Sequence, residues 1–323
     1  MYCGNHAPLP AHEVRCPNQV IDLVPALLSF GQIIRADNNY EALGLLSSIT
    51  EPVPHPNPEI ESVPSQIELC HPRLVILNAD DWGRDQENTN RTLDCIRRRT
   101  VSSVSAMVFM EDSERAAALA RQDTIDAGLH LNFTTPFSAR NVDTHLSEHQ
   151  RKLTAYLRFH PLMRIVFNPL LNHSFQYVIA AQLDEFRRLY GAEAARLDGH
   201  HHMHLCANVL HSNLLPSGTI VRRNFSFQPG EKSLLNRRYR RAIDRRLSRR
   251  HKLVDFLFPL APLKPRRRIQ EIFFLARRSV VEVETHPINA EEYEFLTRGE
   301  ISHHVESQFI ASSFALPESG YCR

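Results

Sequence analysis

Five segments of this chain have the apolar or β-branched composition of a strand, and helix-forming stretches separate them. The strand segments are Leu74–Leu77, Val101–Val108, Ala127–Phe133, Arg196–Leu205 and Ser279–Thr285. Runs of this kind are typical of parallel strands that are buried on both faces. Apolar residues from Ile179 to Tyr190 recur at helical spacing, and Gly191 is expected to end that helix. The alternation predicts parallel βαβ units and therefore an α/β fold, either a barrel or an open doubly wound sheet.

The first part of the chain has a different composition from the rest. Prolines cluster between Pro52 and Pro64, and such a stretch is stiff, extended and unable to join a helix or a central strand. We therefore expect a proline-rich, partly disordered extension over residues 1–70 and a single domain over residues 71–323.

Charge and cysteine usage restrict the class of protein. The chain has 323 residues and a formal net charge of +2, which is too small to indicate a nucleic-acid partner by itself. Its six cysteines are scattered and include no C-x-x-C pair, so reduced thiols are expected rather than a disulfide framework. Since neither a leader segment nor a membrane-spanning apolar run is evident, we expect a cytoplasmic protein.

Side chains that bind metals follow the predicted strands. Asp80 and Asp81 come after the first strand, His130 lies in the third, and His286 follows the last. The segment Leu197–Leu205 contains a denser group, namely Asp198, His200, His201, His202 and His204. Because the carboxyl ends of parallel strands meet at one mouth of a barrel, these residues are expected to share a site.

Each of these features also has a structural interpretation. An Asp pair after a strand is commonly a turn or a cap, and a single buried histidine is often only a core residue. Several imidazoles within a few positions are costly to bury without partners, however. In an extended strand, His200, His202 and His204 would share one face and His201 would point to the other. One carboxylate with two imidazoles and open positions is the ligand set of a catalytic metal site. A second carboxylate and a further histidine could then act as base and acid.

At these residues the sequence resembles the YdjC-like carbohydrate deacetylases. Asn78–Gly83 is similar to the family's N-A-D-D-F-G motif, with Trp in place of Phe, and Thr100–Ser105 is similar to its second-strand segment. Gly128–Thr134 is similar to G-L-H-L-N-x-T, Asp198–His204 to D-x-H-H-H-x-H, and Glu284–Pro287 to x-x-H-P. The resemblance extends to about Gly299.

This resemblance implies a barrel-like β/α domain, of the TIM type but incomplete, that removes acetate from the N-acetyl group of an amino sugar. It implies that Asp81, His130 and His200 bind one divalent ion, usually Mg²⁺ in this family, although Zn²⁺ accepts the same ligands. Asp80 would be the general base and His286 the general acid. Contacts to the substrate or to the ligands are expected from Asn78, Trp82, Asn132, Asp198, His202 and His204. A metal-dependent phosphoesterase and a non-catalytic protein that binds carbohydrate or a lipid surface stay open as alternatives.

Arginines are concentrated between Arg222 and Arg268, and we interpret this range as a basic insertion. Much of Asn236–Leu253 is expected to be helical. One interpretation is a solvated surface helix. The other is a basic element that contacts an anionic membrane or guides an anionic, for example lipid-linked, sugar substrate. Nucleic-acid binding is disfavoured because no aromatic stacking platform accompanies the charge, and a homodimer stays open.

Overall fold

A computed structural model of the chain describes residues 74–227, 231–303 and 313–314. The predicted extension over residues 1–70 lies outside this range. Seven strands form one sheet in the order β5-β4-β3-β2-β1-β7-β6, and every neighbouring pair is parallel. The strands are β1 (Leu74–Trp82), β2 (Ser103–Ala106), β3 (Ala127–Leu131), β4 (Arg196–Gly199), β5 (Ile220–Val221), β6 (Phe256–Pro259) and β7 (Val280–Thr285).

Helices connect the strands, as the βαβ pattern requires. They are α1 (Gln86–Arg97), α2 (Ser113–Gln122), α3 (Thr144–Phe159), α4 (Asn172–Tyr190), α5 (Ala207–His211), α6 (Leu234–Leu247), α7 (Arg266–Leu275) and α8 (Ala290–Thr297). Short 3₁₀ turns lie at Pro161–Arg164, Pro169–Leu171, His200–Leu205 and Glu300–His303. As predicted, Gly191 ends α4, with the left-handed φ of 74° that glycine adopts without strain. None of the helices in the described ranges has the length and apolarity needed to cross a bilayer.

The two edges of the sheet approach each other. Ile220 of β5 pairs in a parallel bridge with Lys252, in the segment that leads into β6. The backbone N–H of Ser226 donates to Leu257 O at 2.8 Å. The predicted barrel-like α/β architecture is therefore confirmed, and the described residues form one strand fewer than a complete TIM barrel.

The face of the sheet that points into the barrel is polar, whereas the opposite face packs against the helices. In β7, Val281 and Val283 belong to the apolar core, while the alternating Glu282 and Glu284 are also buried. Successive side chains of a strand point to opposite faces, so both glutamates face the enclosed side. Charged groups are thereby concentrated inside the barrel.

The expected strand over Arg196–Leu205 is wrong in its second half. The strand ends at Gly199, and His200–Leu205 forms a 3₁₀ segment in which His201 and His202 have φ values of 55° and 56°. Two consecutive left-handed residues turn the chain, so the alternating faces expected for the histidines do not occur. The predicted basic helix begins two residues earlier than expected and ends at Leu247.

Candidate metal centre

Three residues from separate strand ends meet at the mouth of the barrel. Asp81 lies at the end of β1, His130 lies in β3, and His200 directly follows β4. Asp81 Oδ1 lies 2.9 Å from His200 Nδ1 and 3.4 Å from His130 Nε2. The candidate ligand atoms of all three lie within 4.8 Å of one another. A left-handed φ of 64° at Asp81 turns its carboxylate toward the two imidazoles, and aspartate tolerates this conformation better than most residues.

The donor set of this group fits a divalent cation. Asp81 Oδ1 is buried and has no hydrogen-bond donor of good geometry, although two ring nitrogens face it. The pKa of Asp81 would be raised by burial, but the neighbouring His130 and His200 hold it well below its usual range. An ionised oxygen and two imidazole nitrogens that converge without satisfying one another are the arrangement that a metal ion would complete.

Asp198 fixes the orientation of His130. Its Oδ1 lies 2.7 Å from His130 Nδ1, so the carboxylate accepts from Nδ1 and leaves Nε2 facing Asp81. Metal-binding histidines usually donate their other ring N–H to a carboxylate or carbonyl of this kind. The other oxygen of Asp198 accepts from Ser105 Oγ and lies 2.9 Å from Arg222 Nη2.

Arg222 is the centre of the charged interior, and the sequence interpretation missed this role. The buried guanidinium donates to both oxygens of Asp80, at 2.6 and 2.7 Å. It also donates to Glu282 at 2.7 Å and to Glu284 at 3.1 Å. The sequence interpretation placed Arg222 in the basic stretch. A signal was present in β7, because two glutamates on one face of a buried strand require a buried cation.

Carboxyl groups outnumber buried cations around this centre. Burial raises the pKa of Glu282 to about 7, so this group is partly protonated near neutral pH. The other four carboxylates still exceed the charges of the buried Arg222 and Arg196 and of Arg84, which lies 2.9 Å from Asp81 Oδ2. This excess of negative charge also favours a bound cation. The buried carboxyl groups are Asp80, Asp81, Asp198, Glu282 and Glu284.

His286 lies on the open side of the site. Its side chain is 37% exposed, and Nε2 lies 4.0 Å from Glu284 Oε1. Its backbone N–H donates to the buried Glu292 at 2.8 Å. Partial burial disfavours the imidazolium, but Asp80, Glu284 and Glu292 outweigh this effect and raise the pKa of His286. The histidine therefore carries a proton at higher pH than an ordinary histidine.

The other residues named from the sequence take supporting positions. Asn78 donates to Asp80 Oδ1 at 2.9 Å. His202 Nε2 lies 3.1 Å from Glu284 Oε2. Asn132 stabilises its own loop, since its Oδ1 accepts from the backbone N–H groups of Thr134 and Thr135.

Two of the named residues point away from the ligand group. His204 Nε2 lies 2.9 Å from Arg222 O, and burial lowers the pKa of His204 to about 3. Trp82 has an exposure of 0% and packs in the apolar core. The structure therefore does not bring Trp82 to the ligand group.

Comparison with known proteins identifies the family. The sequence profile of the YdjC-like protein family matches residues 74–278, which contain the three candidate ligands and Arg222. The chain belongs to the YdjC-like family. The resemblance carried by the strand-end motifs is thereby confirmed.

Individual YdjC-like relatives match a shorter part of the chain. A carbohydrate deacetylase of Xenopus laevis is 27% identical over 143 residues, which are 43% of this chain and 46% of that protein. A carbohydrate deacetylase of Mus musculus is 29% identical over 147 residues, which are 44% of this chain and 46% of the relative. The chitooligosaccharide deacetylase of Yersinia pestis strain Pestoides F is 27% identical over 140 residues, 42% of this chain and 53% of that enzyme. The matches thus span about half the length of these relatives.

A solved structure has a similar fold. A crystal structure of an Enterococcus faecalis V583 protein, named for cellobiose-phosphate cleavage, superposes with a TM-score of 0.52 at 15% identity. The superposition covers 73% of this chain and 95% of that protein. At this identity the likeness concerns the fold alone.

Proposed function

We propose that this YdjC-like protein is a metal-dependent hydrolase that removes the acetyl group from an N-acetylated amino sugar. The observation that carries the proposal is the unsatisfied Asp81 Oδ1 facing His130 Nε2 and His200 Nδ1. The names of the relatives, carbohydrate deacetylase and chitooligosaccharide deacetylase, support the choice of substrate.

The surrounding side chains supply the proton transfers that amide hydrolysis needs. When bound by Asp81, His130 and His200, a divalent cation would polarise the acetamide carbonyl and lower the pKa of a water molecule. Asp80 would accept the proton of the attacking water, while the two hydrogen bonds from Arg222 keep its carboxylate in one orientation. His286, with its raised pKa, would protonate the leaving nitrogen as the C–N bond breaks. Acetate and a free amine result.

We propose one ion per chain, with Mg²⁺ as the physiological metal. The family resemblance favours Mg²⁺, whereas two imidazole ligands also suit Zn²⁺, so metal analysis of the purified protein decides between them. A cytoplasmic location, a homodimer and the division into an extension (1–70), a catalytic domain (71–323) and a basic insertion (222–268) stay predictions. Membrane contact and a lipid-linked sugar are also proposals.

The test measures acetate release from free and lipid-linked N-acetylated sugars, with chelator and with added Mg²⁺ or Zn²⁺. Asp80→Asn should retain the metal and abolish turnover, because the three proposed ligands stay in place while the proposed base is lost. His130→Ala should lose metal and turnover together, and Asp184→Asn, on the exposed surface of α4, should change neither. Normal turnover in Asp80→Asn would show that Asp80 is not the base. Two or more ions per chain without acetate release would instead favour a phosphoesterase.

A further inference from the structure

Helix α6 and the turn that follows it carry many more arginines than acidic residues. Eight arginines lie between residues 231 and 250, where the acidic residues are only Glu231 and Asp244. Asp244 already has two partners: its Oδ2 lies 2.8 Å from Arg223 Nη2, and its Oδ1 accepts from Asn224 Nδ2 at 2.9 Å. Within the described ranges, seven of the eight arginines pair with no carboxylate: Arg237, Arg238, Arg241, Arg245, Arg246, Arg249 and Arg250. This helix therefore has an uncompensated positive charge that an anionic partner would complement.

The same helix exposes large apolar side chains at its beginning. Leu234 and Leu235 are 61% and 58% exposed, and only Leu247 of the helix is fully buried. A solvated surface helix would gain from having polar residues at these positions. A helix that combines exposed leucines with many arginines has the composition of an interfacial helix, which lies in the headgroup region of a bilayer.

A further exposed apolar residue belongs to a segment connected to this helix. Leu170 is 89% exposed and lies in the 3₁₀ turn that precedes α4. Three residues before it, Phe167 packs against the ring of His211 in α5, with centroids 4.5 Å apart. Arg246 of α6 donates to His211 O at 3.3 Å. The segment that carries Leu170 is thus joined through α5 to the C-terminal end of α6.

We propose that α6, together with the Leu170 segment, docks on the surface of an anionic lipid bilayer. The arginines contact lipid phosphates, and Leu234, Leu235 and Leu170 enter the boundary of the acyl chains. A bilayer satisfies both features at once, because nucleic acid would neutralise the charge but offer no apolar phase for aliphatic side chains. The docking surface does not include the candidate metal centre, so it can be tested separately from the proposed reaction.

The charge requirement is tested by co-sedimentation of the full chain with vesicles of phosphatidylcholine, alone or with about a quarter phosphatidylglycerol. Binding is expected only to the anionic vesicles. The variant Arg237→Gln/Arg238→Gln/Arg241→Gln/Arg245→Gln should weaken the partition coefficient by about fivefold per arginine, so several hundredfold in total. The matched control removes four exposed arginines that each have a carboxylate partner: Arg97, Arg98, Arg187 and Arg188. This control should retain most of the binding despite the same net charge change.

The apolar requirement is tested with Leu234→Ser/Leu235→Ser. This variant should still bind at low salt through its arginines but should be released by salt at which the unaltered protein stays bound. Both helix variants should keep the metal content and the thermal unfolding midpoint of the unaltered protein, which excludes misfolding. Equal binding to neutral and anionic vesicles, or equal loss in helix and control variants, would overturn the proposal. So would arginine-dependent binding to nucleic acid without binding to vesicles.

Discussion

Replacing Asp198 by asparagine gives the sharpest test of the candidate metal centre, because it leaves all three proposed ligands in place. In the structure, Asp198 Oδ1 lies 2.7 Å from His130 Nδ1, so the carboxylate accepts a proton that the ring holds on Nδ1. If the amide group introduced by Asp198→Asn donates to Nδ1 instead, the ring proton moves to Nε2. That atom faces Asp81, and a protonated Nε2 cannot bind a metal.

The size of the effect follows from the indirect role of Asp198. Removal of a carboxylate that orients a metal-binding histidine typically costs about 10–100-fold in metal affinity, or about 1.4–2.8 kcal/mol. Stability should suffer less. The amide oxygen can still accept one hydrogen bond, and Arg222 keeps its contacts with Asp80, Glu282 and Glu284.

The assay is a competition titration of the metal-free protein with a fluorescent chelator for Zn²⁺ or Mg²⁺. Asp126→Asn is the matched control, because Asp126 pairs with Arg196 at 3.2 Å and lies four residues before His130, directly ahead of β3. We expect Asp198→Asn to lose affinity and Asp126→Asn to keep it, with folding monitored by thermal unfolding. If Asp198→Asn binds the metal normally, the orientation of His130 by Asp198 does not matter, and His130 as a ligand is in doubt.

Two further predictions concern Arg222 and His286. Arg222→Met should lower the free energy of unfolding by about 3–5 kcal/mol in urea titrations, because it leaves buried carboxylates without a partner. The control Arg238→Met, at an exposed position, should change this free energy by no more than about 0.5 kcal/mol. Equal losses in the two variants would refute a central role for Arg222. Since carboxylates raise the pKa of His286, activity that needs its proton should persist above the ordinary histidine range and fall as pH rises through the raised value. Glu292→Gln removes one of these carboxylates and should move this fall in kcat/KM to lower pH, and an unchanged profile would argue against His286 as the acid.

The convergence of the candidate ligands was predictable from the sequence. Short apolar segments that alternate with helices indicate parallel strands, and parallel strands bring their carboxyl ends to one edge. Residues directly after such strands must therefore lie close together, as Asp81, His130 and His200 do. This inference needs only the position of each residue relative to its strand.

Local backbone conformation was less predictable. The histidine-rich segment after Asp198 has no composition that distinguishes an extended strand from a tight turn. His201 and His202 adopt left-handed backbone conformations. In the resulting turn, His200 contacts Asp81 and His202 contacts Glu284. These contacts come from other strands, so a pattern within the segment carries no information about them.

Sequence pattern alone was sufficient for the α/β class, the family resemblance and the set of candidate ligand residues, because these depend on periodicity and on residues near one another in the chain. Only the tertiary structure could assign Arg222 to the interior and Trp82 to the core. Arg222 lies 142 residues from Asp80, and nothing near it in the chain separates it from the surface arginines that follow. Its burial depends on four carboxylates from three strands, Asp80, Asp198, Glu282 and Glu284. The desolvation of a charge is compensated by partners in space, and their positions are set by the closed sheet.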